Sequence, residues 1–235
     1  MARRRFFVPE IHSGVAAIAG DDAHHLTRVL RVEKGQKYEI SDNARVYLAE
    51  VEAARRDLVT FRVIEPVEAV EPKVQVALYV ALIRFECIEL LVEKATELGV
   101  ASLSFFAAER SERGLDRAAA KRAERWLRIA REASEQSRRV RLPDIAAPVA
   151  FRDVLADAAP CRAMLDEEPG GAGLLAAVAG TDRVSVLAGP EGGWTDRERA
   201  AAREAGWRPV SLGPGVLRTE TAAISALAVI AAANV

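Results

Sequence analysis

The rhythm of apolar and polar positions changes near residue 72. Before it, Tyr38-Glu39-Ile40 and Val46-Tyr47-Leu48-Ala49-Glu50-Val51 alternate, and Leu58–Ile64 offers a third run of the same kind. Alternation with period two predicts strands with one buried face. Asp42-Asn43 marks a turn between the first two, and His24–Val32 predicts a short helix capped by Asp21 or Asp22. Glu65-Pro66-Val67-Glu68-Ala69-Val70-Glu71-Pro72 has the composition of a linker. Beyond it the pattern switches to strands alternating with helices. Val74–Leu82, Ser102–Phe106, Ala163–Leu165 and Val184–Ala188 are the apolar runs. Glu86–Gly99, Asp116–Arg138 and Leu174–Ala179 are the helical stretches, with a turn at Gly170–Gly173. Thr195 with Glu198 three residues on is a capping box opening a helix to Ala205. The expectation is an α/β fold: a small β-rich domain over residues 1–70, then an α/β domain over 73–235 with a parallel sheet.

Two glycine-bearing segments sharpen that picture. Gly189-Pro190-Glu191-Gly192-Gly193 follows the run Val184–Ala188, and Leu212-Gly213-Pro214-Gly215-Val216-Leu217-Arg218-Thr219-Glu220-Thr221-Ala222 follows Pro209–Leu212. Each leads into a helical pattern. Strand, glycine turn and helix, repeated, places two exposed backbone loops at the carboxyl edge of a parallel sheet, where open α/β folds bind ligands. The usual nucleotide fingerprints do not fit. Arg218 stands where GxGxxG needs its third glycine, and no P-loop sequence occurs.

Composition narrows the class. Half of the 235 residues are hydrophobic and 29% are charged, the balance of a soluble globular protein. Net charge is −1, yet residues 109–141 carry eleven Lys/Arg against six Asp/Glu, and Arg3-Arg4-Arg5 forms a second basic cluster. Local basic patches on a neutral protein suit a polyanion, with a solvated helix face as the alternative. Cys87 and Cys161 are too few and too far apart for a disulfide framework or a zinc motif. No metal is expected. No stretch has the length of a membrane span or the form of a signal peptide, so a cytoplasmic protein is expected.

The glycine segments also carry a resemblance. GPEGG followed by LGxxVLRTETA resembles the ribosomal RNA small-subunit uridine N3-methyltransferases, of the SPOUT class. Arg5-Phe6-Phe7-Val8, His25-Leu26-x-x-Val29-Leu30-Arg31, Glu93-Lys94-Ala95-Thr96-Glu97-Leu98-Gly99-Val100 and Arg131–Arg139 extend it over nearly the whole chain. The resemblance implies an N-terminal PUA-like β-barrel that binds RNA and a C-terminal SPOUT domain with a trefoil knot. It implies S-adenosylmethionine as cofactor, 16S ribosomal RNA within the small ribosomal subunit as substrate, and a homodimer. The charge-free final helix from Ala222 suits a dimer, with plain core burial as the alternative.

By the same resemblance, the cofactor falls to Gly189, Pro190, Glu191, Gly193, Leu212, Gly213, Val216, Leu217, Arg218 and Thr219, with Leu165 and Ala188 as a wall at the strand ends. Methyl transfer to uracil N3 needs the N3 proton removed and the resulting anion stabilised. Arg218 and Glu220 are the candidates for those roles. The alternative for Arg218 is a structural ion pair with Glu220 or Glu191, and Thr219 or Thr221 is a candidate helix cap. Arg3, Arg4, Arg5, Arg28 and Arg31 are candidate phosphate contacts, Gln136, Arg138 and Arg139 a second RNA surface, and His24 and His25 candidate RNA contacts. One departure stands out: Arg84-Phe85 replaces the family's lysine-glycine at the start of the central helix. A SPOUT enzyme acting on another RNA position and a non-catalytic RNA-binding assembly factor are the competing readings.

Overall fold

A computed structural model describes residues 4–168 and 171–233. The chain divides into two compact units, one comprising residues up to Glu71 together with Ser134–Leu142, the other Pro72–Ala133 and Pro143 onward.

The first unit holds strands β1 (Arg5–Phe7), β2 (Ile11–His12), β3 (Val15–Ala19), β4 (Lys37–Ser41), β5 (Val46–Arg55) and β6 (Leu58–Val67), with helix α1 (Gly20–Arg28) between β3 and β4. The strands form one mixed sheet in the order β1-β4-β5-β6-β3-β2. Only β1 and β4 run parallel. Phe6, Ile40, Val51, Val59 and Phe61 fill its core, joined by Ala23 and Leu26 of α1. The helix begins four residues before the predicted start. Ala19 occupies its N-cap without a side-chain bond, while Asp21 and Asp22 sit in the first turn, where carboxylates favour the helix dipole. The expected linker is partly strand, because β6 runs through Pro66 to Val67. Proline is tolerated there because β3 pairs only with Leu58–Arg62, leaving the rest of β6 an edge.

Residues 134–142 pack with this unit rather than with the second, through backbone groups no pattern of apolar positions announces. Ser41 Oγ donates to Val140 O at 2.6 Å, and Leu142 N donates to Asn43 Oδ1 at 2.7 Å. Arg5 donates to the Arg138 carbonyl.

The second unit holds β7 (Gln75–Ala81), α2 (Phe85–Glu97), β8 (Ser102–Phe106), α3 (Leu115–Ala120), α4 (Ala123–Ser137), β9 (Asp144–Ile145), α5 (Phe151–Leu155), β10 (Cys161–Leu165), β11 (Ala172–Gly173), α6 (Leu174–Ala177), β12 (Arg183–Ala188), α7 (Asp196–Glu204), β13 (Arg208–Ser211) and α8 (Thr219–Ala232). Its seven strands lie in the order β11-β13-β10-β12-β7-β8-β9 and every pairing is parallel. The central strands are nearly continuous apolar runs, as a sheet covered on both faces requires. Leu78, Val80 and Val186 pack with Ile88 and Leu91 of α2, Trp126 of α4 and Ile230 of α8. The single helix expected over 116–138 is two. Lys121 N and Arg122 N donate three residues back, to Ala118 and Ala119, which tightens the turn and ends α3. Part of the predicted turn at Gly170–Gly173, including Gly170 itself, lies outside the described residues.

Candidate functional site

Strand order brings the site together. β10 lies between β12 and β13, so the segments following Leu165, Ala188 and Ser211 leave the same edge of the sheet side by side. They enclose a cleft that opens to solvent.

The 189–195 segment forms a braced wall. The Trp194 side chain is 1% exposed, its indole N–H donates to Leu165 O at 2.9 Å, and its ring stacks near Phe106 at 6.2 Å. A Cβ at Gly189 would come within 2.7 Å of that indole, so only glycine lets the strand end pass the ring. Thr219 Oγ1 donates to Gly189 O at 2.8 Å, and Arg110 donates to Gly192 O at 3.0 Å and Trp194 O at 3.3 Å. The capping box at Thr195 and Glu198 is present with both of its bonds, and fixes where α7 begins.

The 212–218 segment forms the opposite wall and carries few bonds. Gly213 adopts φ 136, a backbone shape that glycine reaches at least cost. Ser211 Oγ both accepts from Gly213 N and donates to Gly213 O. Val216 is 83% exposed, and a Cβ at Gly215 would meet open space.

Of the residues predicted for a cofactor, Leu165, Ala188, Gly189, Pro190, Gly193, Leu212, Gly213, Val216, Leu217 and Thr219 line the cleft. Glu191 and Arg218 belong to the same loops but not to the lining. Asp166, Glu167, Trp194, Ser211, Pro214, Gly215 and Ala222 line it as well and were not anticipated. The acidic run after β10 is held by α7. Buried Arg199 grips Asp166 with bonds of 3.0–3.2 Å, and reaches Glu167 at 3.1 Å. Hydrogen bonding to Asp166 holds the Arg199 guanidinium above its ordinary range against the cost of burial. The sequence signal was an acidic triplet directly after a buried strand, a place where solvated charge has no reason to cluster.

Arg218 and Glu220 part company. Arg218 is the N-cap of α8 and is exposed; its carbonyl accepts from Ala222 N at 2.8 Å, but among the described residues its guanidinium makes no hydrogen bond or ion pair. Glu191 pairs instead with Arg84, at 3.4 Å. Glu220 is 7% exposed and among the described residues its Oε2 has no hydrogen-bond partner. Its carboxylate lies within 4.8 Å of donor atoms of Cys87 of α2 and Glu191, and it does not line the cleft. Residues two apart on a helix do not share a face, which is why the pair does not act as one site. Burial, then the Glu220 carboxylate, push the Cys87 thiol above its ordinary range.

The candidate RNA contacts also divide. His25, Arg28 and Arg31 are exposed on and just after α1, and Arg4 is exposed beside β1. Arg5 is a correction: it is 3% exposed and bonds to Glu39 at 2.8 and 3.1 Å, so its charge serves the fold. Arg3 lies outside the described residues. Gln136 is exposed, and Arg138, at φ 58, reaches Glu39 at 3.5 Å. Arg139 is partly buried and bonds to Arg141 O, and burial draws its guanidinium down to about 10. His24 is half-buried, and among the described residues its Nε2 has no partner. Phe85 is packed under Arg122, whose guanidinium stands 5.0 Å from the ring centroid, so the residue replacing glycine ties α2 to the start of α4.

Comparison with known proteins adds an independent line. A family model described as the RNA methyltransferase domain matches residues 70–231, and one described as the RNA methyltransferase PUA domain matches residues 18–64. Proteins named ribosomal RNA small subunit methyltransferase E are similar along their length. The one from Synechocystis is 34% identical, covering 97% of this chain and 77% of its own. That from Aquifex aeolicus is 29% identical, covering 96% and 97%. Among solved structures, the Neisseria gonorrhoeae methyltransferase E bound to S-adenosylmethionine superposes with a TM-score of 0.88 at 26% identity, covering 96% of this chain and 95% of that one. A Legionella pneumophila protein described as a methyltransferase in complex with the same cofactor gives 0.90 at 29% identity, covering 99% and 98%.

Proposed function

Because the chain belongs to the ribosomal RNA small subunit methyltransferase E family, an α/β SPOUT-class fold with an N-terminal PUA domain, we propose that it transfers a methyl group from S-adenosylmethionine to N3 of one uridine in 16S ribosomal RNA. The observation that carries the proposal is the cleft between two glycine loops, with an unpaired guanidinium at its rim.

The residues present fit that cofactor. The lining combines an apolar wall (Leu165, Ala188, Leu212) with backbone amides of the two loops and open space at Gly215. Backbone N–H groups not tied into secondary structure suit the adenine edge and the carboxylate of such a ligand. When bound, S-adenosylmethionine supplies an electrophilic methyl group on a sulfonium centre. The chain's task is then to position a nucleophile in line with it, a task in which orientation supplies most of the acceleration.

Uracil N3 becomes nucleophilic once its proton leaves, and the negative charge spreads onto the neighbouring carbonyl oxygens. Arg218 is the group placed to stabilise that charge: it is exposed, undistracted by any ion pair, and fixed at its backbone by the N-cap of α8. Such a donor acts most strongly when the bound base excludes water around it. Glu220 is not the proton acceptor in this scheme, because its burial keeps it from a bound base. The proton leaves to solvent. His25, Arg28 and Arg31 on the first unit supply phosphate contacts, which position RNA without reading its sequence. Presenting a base to the cleft requires an unstacked nucleotide.

The same reading makes the protein a cytoplasmic homodimer. Its support is α8, which carries no charge after Glu220 and leaves Ala228, Ala231 and Ala232 exposed. Among the described residues no helix is long and apolar enough to cross a membrane. The deciding experiment incubates the purified chain and S-adenosylmethionine with small subunits from a strain lacking the activity, then maps the product nucleotide by mass spectrometry. One methyl on a uracil base, blocking its pairing edge, is the expected result. A ribose methyl, a methyl on another base, or no product would defeat the proposal.

A further inference from the structure

The braced loop contributes to a second group of side chains that the methyl-transfer scheme does not use. Cys87 on α2, Glu191 on the 189–195 loop and Glu220 on α8 bring their donor atoms within 4.8 Å of one another. They come from three separate elements, so no local sequence motif creates the arrangement. Glu220 gives it a requirement. Its residue is 7% exposed, yet among the described residues Oε2 finds no hydrogen-bond donor, and a buried carboxylate oxygen without a partner is costly. Arg84 does not meet that need, since its guanidinium is directed to Glu191, at 3.4 Å, with both side chains about half exposed.

We infer that Cys87, Glu191 and Glu220 form a binding site for a thiophilic divalent cation of the zinc class. One thiolate with two carboxylate oxygens is a donor set that Zn²⁺ accepts and that Mg²⁺ and Ca²⁺, which take oxygen ligands only, do not favour. Bonds of about 2.3 Å to sulfur and about 2.0–2.2 Å to oxygen require the three donors to close by roughly 1 Å from their present spacing. Exposed Glu191 can rotate to provide most of that movement. A water completes four-coordination on the open side. As the sulfur–metal bond forms, Cys87 releases its S–H proton to solvent. Three anionic ligands, the divalent ion and the nearby Arg84 guanidinium then balance in charge. The bound ion gives Glu220 Oε2 the partner it lacks, and joins α2, α8 and the loop behind the cleft. The inference does not depend on the methyl acceptor, and its test has no catalytic readout.

The test titrates Co²⁺ into the full-length chain and reads the thiolate-to-cobalt charge-transfer absorption, followed by displacement with Zn²⁺. The expected result is a saturable band of one ion per chain that Zn²⁺ abolishes. Cys87→Ser should lose the band entirely. Glu220→Gln should weaken binding by at least about tenfold, the lower bound seen even for groups one shell removed from a metal. Glu191→Gln, on an exposed loop where folding is not at stake, should weaken it likewise, and decides the matter if Glu220→Gln does not fold. Absence of the band at saturating Co²⁺ overturns the inference. So does a band that survives in Cys87→Ser, which would place the thiolate at Cys161, or one unaffected by Glu191→Gln.

Discussion

The two walls of the cleft are built by opposite means. The 189–195 wall is anchored at almost every residue: Trp194 to Leu165, Thr219 to Gly189, Arg110 to Gly192, Thr195 to Glu198, Arg84 to Glu191. The 212–218 wall has one serine hydroxyl bridging Gly213, a glycine at φ 136, and an apolar residue, Val216, left in solvent. The difference teaches a division of labour. One wall is preorganised, so binding need not order it. The other has few bonds of its own to order it, and leaves unpaired the Arg218 side chain that the proposed mechanism uses. Rigid positioning and adaptable closure are both needed where a small cofactor must be admitted and then sealed against water.

The comparison can be broken from either side. The largest effect is expected on the braced wall. Trp194→Ala removes a fully buried indole together with its bond to Leu165, and should destabilise the chain by about 3–5 kcal/mol, read as a lower denaturation midpoint. On the open wall, Arg218→Ala should leave stability unchanged while reducing kcat by about 10²–10³-fold, the scale for one lost charge-stabilising donor. Cofactor affinity should hold, and equal losses of affinity and rate would move Arg218 to the cofactor. Gly215→Val places a side chain where a Cβ meets nothing. It should therefore keep the fold and lower S-adenosylmethionine affinity by at least about tenfold, or about 1.4 kcal/mol, measured by calorimetry. Thr195→Ala is the smallest: loss of the capping box should cost about 1 kcal/mol, with cofactor affinity nearly unchanged.

Much of this wall-and-cleft design is legible in the residues themselves. GPEGG and LGPGVLRTETA between an apolar run and a helical pattern place both loops at the sheet edge, and Thr195 with Glu198 marks the start of α7 to the residue. What escapes the sequence are pairings between residues far apart in the chain. Arg5 reads as one of three surface arginines, but Glu39, 34 positions on, draws it into the core. Asp166 carries no motif of its own, and only Arg199, arriving from α7, shows it to be a buried ion-pair partner. Residues 134–142 are the last turn of α4 and the segment after it, yet they group with the first unit, through backbone carbonyls. Glu220 reads as the companion of Arg218, whereas helix geometry turns it toward Cys87.

Amide hydrogen exchange with and without S-adenosylmethionine tests the contrast between the walls most directly. The account predicts that residues 192–195 are already protected without cofactor and change little, while residues 213–218 exchange rapidly and slow markedly on binding. Equal protection of both loops before cofactor is added, or no slowing of 213–218 at saturation, would contradict it.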